Sequence, residues 1–394
     1  MTQRPTFRSE LQRFQRLALL VGVVGTGLCV VGYLLHPAQF FRSYLTAYMF
    51  WLGITLGCLA ILMLHHLVGG TWGAVIRRVL EAGTRVMPLM LVLFVPLFFG
   101  LHDLYVWARP EGAVGHETAP FRHVYLSVPF FWLRAGVYFA VWLVLTYFLN
   151  RWSRQQDQAH EAAVVRSRQR RLGLLSGGGL VLYGLTVTFA AVDWLMSLEP
   201  HWFSTIYGFL VITGQLLAAM AFAVVITAVL ARFEPLSSVI SPGLFNDLGT
   251  RLLACVMLWA YCAFSQFLIT WSGNLPEEIV WYLHRSHGGW GWIRLLLLLL
   301  HFAVPFFLLL SRGIKGRVQF LTAVAAVLLG AHLIDIFWLV MPAFFPERLH
   351  VHWLDVVVPL GMGGVWVAVF AWQLPRRPLL PLHDPRLQEV IQHG

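Results

Sequence analysis

Apolar residues run along this chain in ten long blocks, each separated from the next by a short polar segment. The blocks lie at about 17–35, 45–68, 86–106, 125–149, 173–197, 203–230, 249–272, 289–310, 318–341 and 355–373. Each holds the roughly 20 mostly apolar residues that a helix needs to cross the hydrocarbon core of a bilayer. Prolines interrupt several of them (Pro88, Pro96, Pro129, Pro305, Pro359), which membrane helices tolerate better than soluble ones do. The pattern predicts an all-α integral membrane protein with about ten transmembrane helices.

Composition agrees: 58% of the 394 residues are hydrophobic, 12% are charged, and the mean hydropathy is +0.71. A soluble domain carries about 25% charged residues, and no soluble core of this size could bury so much apolar surface. The net charge of +10 comes from 28 basic residues against 18 acidic ones. The basic residues sit between apolar blocks, so their message is topology, and no nucleic-acid partner is expected. With the N-terminus inside, 21 of them fall in inner segments and five (Arg42, Arg109, Arg122, Arg285, Arg348) in outer loops, while Arg134 and Arg294 lie within spans. That alternation is the positive-inside pattern and predicts both termini on the cytoplasmic side.

The apolar run behind Arg4, Arg8, Arg13 and Arg16 is long enough to span and is read as a retained first helix, with 1–16 as a cytoplasmic N-terminus and 374–394 as a cytoplasmic tail. Arg77, Arg78 and Arg85 are assigned to an inner loop. The basic loop 151–171 reads as a helical extension resting on anionic lipid headgroups or as a solvated linker. Cys29, Cys58, Cys255 and Cys262 lie in apolar runs without a C-x-x-C or C-x-x-C-H motif, so no covalent haem, iron–sulfur or metal site is expected.

A short internal repeat appears. Asp193 near the end of span five precedes Pro200 by seven residues, and Asp335 near the end of span nine precedes Pro342 by seven, an offset of 142 residues. It suggests two four-helix bundles of like orientation, at about 45–197 and 203–341, with spans one and ten as flanking helices at about 17–35 and 355–373.

Ionisable residues inside spans cost about 2.5–3.5 kcal/mol on insertion scales and call for a reason. His102 and Asp103 close span three, Arg134 lies in span four, Asp193 in span five, His301 in span eight, and His332 with Asp335 in span nine. Glu199 and His201 occupy the tight turn after span five. His332 and Asp335, three apart, share a helix face, and His301 comes to a similar depth on the preceding helix. Nearly all the acids and imidazoles fall in the outer half. A proton relay or a quinone contact is one reading, since histidine titrates near neutral pH. Haem ligation by His301 and His332 and plain hydrogen bonding to neighbouring helices are the others. Gln266 reads as a helix-to-helix hydrogen-bonding residue, and Arg134 as a possible counter-ion for one of the aspartates.

Two stretches, DWLMSLEPHWFSTIYGF from Asp193 to Phe209 and WSGNLPEEIVWYLHR from Trp271 to Arg285, resemble the second large membrane subunit of alternative complex III (ActF-type), which is related to NrfD-like and polysulfide-reductase-like membrane subunits. The resemblance implies a bacterial inner-membrane subunit of a quinol:electron-acceptor oxidoreductase that carries no redox centre itself. It implies a quinone, menaquinone or ubiquinone, as the non-covalent ligand of the complex. Implied partners are a sister NrfD-like subunit, an outer iron–sulfur subunit, multihaem and monohaem c-type cytochromes and small membrane subunits. It carries over Asp193, Glu199 and His201 from the first stretch. From the second it carries over Asn274, Glu277, Glu278 and His284, as outer-loop docking or proton-exit residues. A proton-coupled secondary transporter with two parallel bundles is the alternative.

Overall fold

The protein is described by a computed structural model over residues 7–109, 124–159, 161–239 and 241–381. It is an all-α multi-pass membrane protein: ten helical crossings are long and apolar enough to span a bilayer, and no strand occurs among the described residues. The crossings are α1 (Phe7–Leu35), α2 (Pro37–Val68), the pair α3 (Thr71–Thr84) and α4 (Met87–Phe99), α5 (Val128–Asp157) and α6 (Ala162–Trp194). They continue with α7 (Tyr207–Leu230), α8 (Pro242–Gly273), α10 (Trp290–Leu310), α11 (Val318–Val340) and α12 (Leu354–Gln373). A short helix, α9 (Pro276–His284), lies between α8 and α10.

The helices outrun the apolar blocks wherever polar residues can reach a headgroup layer. Helix α1 starts at Phe7 and carries Arg8, Arg13 and Arg16, because long cationic side chains reach the interface while their stems stay apolar. Helices α5 and α6 extend through much of the basic loop, to Asp157 and from Ala162. The third crossing corrects the inner-loop assignment. It begins at Thr71, so Arg77 and Arg78 belong to helix α3, where both are buried. Their charges are balanced by Glu81 on the next turn and by residues of α5, and an arginine paired in this way need not stay in a loop.

Helices α2, α3/α4, α5 and α6 pack into one closed group of four crossings, and α7, α8, α10 and α11 into another. The groups meet chiefly through α2 against α7. In α2, 89% of the apolar window is buried, against 22% in α10, so α2 is a central helix and α10 a peripheral one. Helices α1 and α12 pair with each other outside the groups, and α12 also lies on α2. At their crossing, a Cβ on Gly25 would stand 2.3 Å from the Cα of Gly361. Only glycine lets the backbones come this close, which is how membrane helices gain contact without a hydrophobic driving force. Indoles of α2 and α12 tie that seam, Trp51 Nε1 donating to the Pro359 carbonyl (3.0 Å) and Trp366 Nε1 to Thr55 Oγ1 (2.9 Å).

Candidate functional site

His301, His332 and Asp335 come together beside Trp259 in the second group of helices. All three are buried, at 0%, 1% and 5% exposure. Trp259 Nε1 of α8 donates to Asp335 Oδ2 at 3.2 Å, and His332 Nδ1 stands 3.8 Å from the same oxygen. The His301 ring lies 4.1 Å from the Trp259 ring and 5.8 Å from that of His332, centroid to centroid. Neither ring nitrogen of His301 or of His332 has a hydrogen-bond partner among the described residues.

Local structure positions the pair. Residues Leu298–Ala303 of α10 form a π-helical turn carrying His301, directly ahead of Pro305. Such turns are rare and concentrate at functional positions. His332 points to the seam between the helix groups: Phe50 of α2 lies 5.9 Å from its ring, and a Cβ on Gly214 of α7 would stand 2.9 Å from its Cε1. Glycine at 214 therefore makes the space the imidazole occupies. No arginine or lysine pairs with Asp335 among the described residues.

Asp193, which matches Asp335 in the repeat, has the opposite environment. Arg134 of α5 donates Nε to Oδ2 (2.9 Å) and Nη2 to Oδ1 (2.8 Å), and Tyr138 Oη donates to Oδ2 (2.7 Å). Arg134 also donates to the Tyr125 carbonyl at 2.8 Å and lies 3.9 Å over the Tyr125 ring. This carboxylate is held at both oxygens by a two-point guanidinium contact, the strongest pairing available to it. It is a closed ion pair, whereas Asp335 faces, among the described residues, only the Trp259 N–H and the His332 imidazole.

The two stretches that carry the family resemblance dock on each other outside the spans. Glu199 receives Arg285 Nη1 at 3.3 and 3.1 Å and lies 3.1 Å from His284 Nδ1. Burial pushes the Glu199 carboxyl up, but Arg285 and His284 outweigh it and hold the group below its ordinary range. Arg285 is buried over the Trp281 ring at 3.8 Å and donates to the Leu339 carbonyl at the end of α11 (2.9 Å). Trp281 stacks on Trp202 at 4.9 Å, and Trp202 Nε1 donates to the Glu278 carbonyl (3.2 Å). Tyr207, the first residue of α7, packs edge-on against this cluster, its ring 5.5 Å from that of Trp202 and 6.4 Å from that of Trp281.

At the opposite, arginine-rich end, Glu81 is fully buried among Arg77 (3.0 Å), Arg78 (2.7 Å) and Arg377 (2.9 Å), and Ser153 Oγ of α5 donates to it at 2.5 Å. The network ties α3, α5 and the segment after α12 together. Glu81 went unnoticed in the sequence, although arginines three and four residues before it on a helix were a usable signal. Nothing in the local sequence marks Trp259 as the partner of Asp335 or Arg285 as that of Glu199.

The other expected residues join none of these clusters. His102, His201 and Glu277 are exposed and Asp103 is half-buried. Asn274 caps α8 in the left-handed conformation (φ 47°), a backbone role that asparagine fills readily. Gln266 accepts a hydrogen bond from Ser204 Oγ at 3.4 Å. No group of three or more His, Cys, Asp or Glu side chains among the described residues has the geometry to hold a metal ion. No protein-family model and no curated protein matches the chain.

Proposed function

We propose that this chain is a membrane subunit of a quinol-oxidising respiratory complex of the alternative complex III type, in which His301, His332 and Asp335 hand on protons. The observation that carries this reading is the cluster itself: two imidazoles and a carboxyl, buried together without a fixed cation, one imidazole on a π-helical turn and the other beside a glycine that makes room for its ring. Such groups take up and release protons with little movement of the backbone. The Glu199–Arg285–His284 cluster, with Tyr207 packed on its Trp202 and Trp281, lies toward the end read as outer from the arginine distribution.

Two further features support the respiratory assignment. The stretches that resemble the family are the two that pack together through Glu199, Trp202, Trp281 and Arg285. The closed Arg134–Asp193 pair gives the first group of helices a structural anchor, which leaves the second group to carry protons. In this reading the membrane is the bacterial inner membrane, and the chain is not catalytic alone.

The test is to tag the chain, purify what comes with it, and compare wild type with Asp335→Asn. Co-purifying haem and iron–sulfur subunits with quinol oxidation, slowed at least tenfold by Asp335→Asn in an intact assembly, is the expected result. A partner-free chain that drives proton-coupled solute uptake in liposomes would establish the transporter reading instead. Normal turnover and proton release in Asp335→Asn and His332→Ala assemblies would remove the cluster from the proton route.

A further inference from the structure

At the arginine-rich end, a cavity of about 650 Å³ opens between the start of α4, the last turns of α5 and the segment that follows α12. Arg85, Arg151, Arg154 and Arg377 line it, together with Leu143 and Tyr147. Arg377 is already committed to Glu81 and to the Asn150 carbonyl. The other three have no carboxylate partner among the described residues: Arg85 donates only to the Glu81 carbonyl and Arg151 to Tyr147 Oη.

The lining changes character with depth. Leu143, Tyr147 and Arg151 follow one another at intervals of four along α5, so they form one ridge. At 1.5 Å per residue, Leu143 lies about 12 Å deeper in the membrane than Arg151. Val144 and Phe148, their neighbours on the same helix, are exposed at 51% and 37%. The cavity therefore has a cationic mouth at the interface and an apolar wall that runs into a lipid-facing surface.

We infer that this cavity is a binding site for an anionic phospholipid, its phosphate held by Arg85, Arg151 and Arg154 and an acyl chain laid along Leu143 and Tyr147. Three guanidinium groups that lack a carboxylate supply the charge complement of a phosphodiester, which arginine binds through paired N–H donors. Basic pockets between helices on the cytoplasmic side hold such headgroups. The inference stands independently of the respiratory reading.

The experiment titrates the whole chain in a neutral detergent with dioleoylphosphatidylglycerol, dioleoylphosphatidylcholine or inorganic phosphate, following the melting temperature and the lipid retained in native mass spectrometry. Three proteins are compared: wild type, Arg151→Gln/Arg154→Gln, and Arg166→Gln/Arg170→Gln. All four replaced arginines are exposed, so both variants should fold, and each loses the same charge. Wild type is expected to bind phosphatidylglycerol saturably. Arg151→Gln/Arg154→Gln should bind it roughly 30-fold more weakly, from two contacts of about 1 kcal/mol each, and Arg166→Gln/Arg170→Gln nearly as well as wild type. Equal losses in both variants would reduce the effect to net charge and overturn the site. Phosphatidylcholine binding as tightly would overturn the charge argument. Inorganic phosphate stabilising the chain as much as the lipid does would identify a free-anion site and overturn the lipid one.

Discussion

Arg134 reaches Asp193 through two separate nitrogens, one to each carboxylate oxygen, at 2.9 and 2.8 Å, and the carboxylate has no exposure to solvent. Removing one member of such a pair leaves a bare charge in a low-dielectric interior, at a cost of about 3–5 kcal/mol. Arg134→Met and Asp193→Leu should each lower the melting temperature of the detergent-solubilised protein sharply. The double variant, which buries no charge, should recover most of the loss. A double variant no better than the singles would mean that Tyr125 and Tyr138 need the pair in place.

Gly214 tests the second cluster by geometry alone. Alanine there would put a methyl group 2.9 Å from the His332 ring, and overpacking of this kind costs about 1–3 kcal/mol. Gly214→Ala is expected to lower proton-linked turnover of the assembled complex. Adding His332→Ala should relieve the strain and restore melting without restoring turnover. Were Gly214→Ala to leave both quantities unchanged, the ring would not need the position it has.

Glu199 should make stability depend on acid. Its folded carboxyl titrates below the ordinary value of 4.5 because Arg285 and His284 outweigh burial. A group depressed in the folded state binds its proton more readily when unfolded. Its contribution is therefore complete above about 4.5 and is lost as pH falls through the folded value. The difference in melting temperature between wild type and Glu199→Gln should shrink as pH falls below about 4.5. A difference that grows on acidification would contradict the assignment.

Glu81 is the keystone of the arginine-rich end, since three guanidinium groups converge on it. Glu81→Ala should prevent stable folding or cost more than about 5 kcal/mol, because it strands buried cations. Arg377→Ala removes the least buried of the three and leaves Glu81 paired with Arg77 and Arg78. It should fold, melt a few degrees lower, and expose the segment 374–381 to faster proteolysis in a time course. Proteolysis at the wild-type rate would show that this segment is held by something other than Arg377.

The number of crossings and the length of most of them could be read from the chain, because each apolar block needs only its own composition to seek the bilayer. The extra turns of α1 and α3 could not, since arginines look like loop residues until, as in α1, they are seen to reach the interface or, as in α3, a partner is found for them. Arg77 and Arg78 sit close to Glu81 in sequence, so that pairing was half visible. Asp157 and Arg377, which complete it, come from two other elements.

The candidate site divides along the same line. The spacing of His332 and Asp335 puts them on one face of a helix by local geometry alone, and alternation of spans brings His301 to a similar depth. By itself, then, the sequence determined a ten-crossing helical membrane protein with ionisable side chains in several of its spans. Which of those side chains meet was decided by tertiary packing. Asp193 found an arginine on α5 and Asp335 a tryptophan on α8, and His301 of α10 came to lie against that tryptophan, because different helices face them. The cost of a buried charge depends on its neighbours across the helix seam, and a linear chain does not specify them.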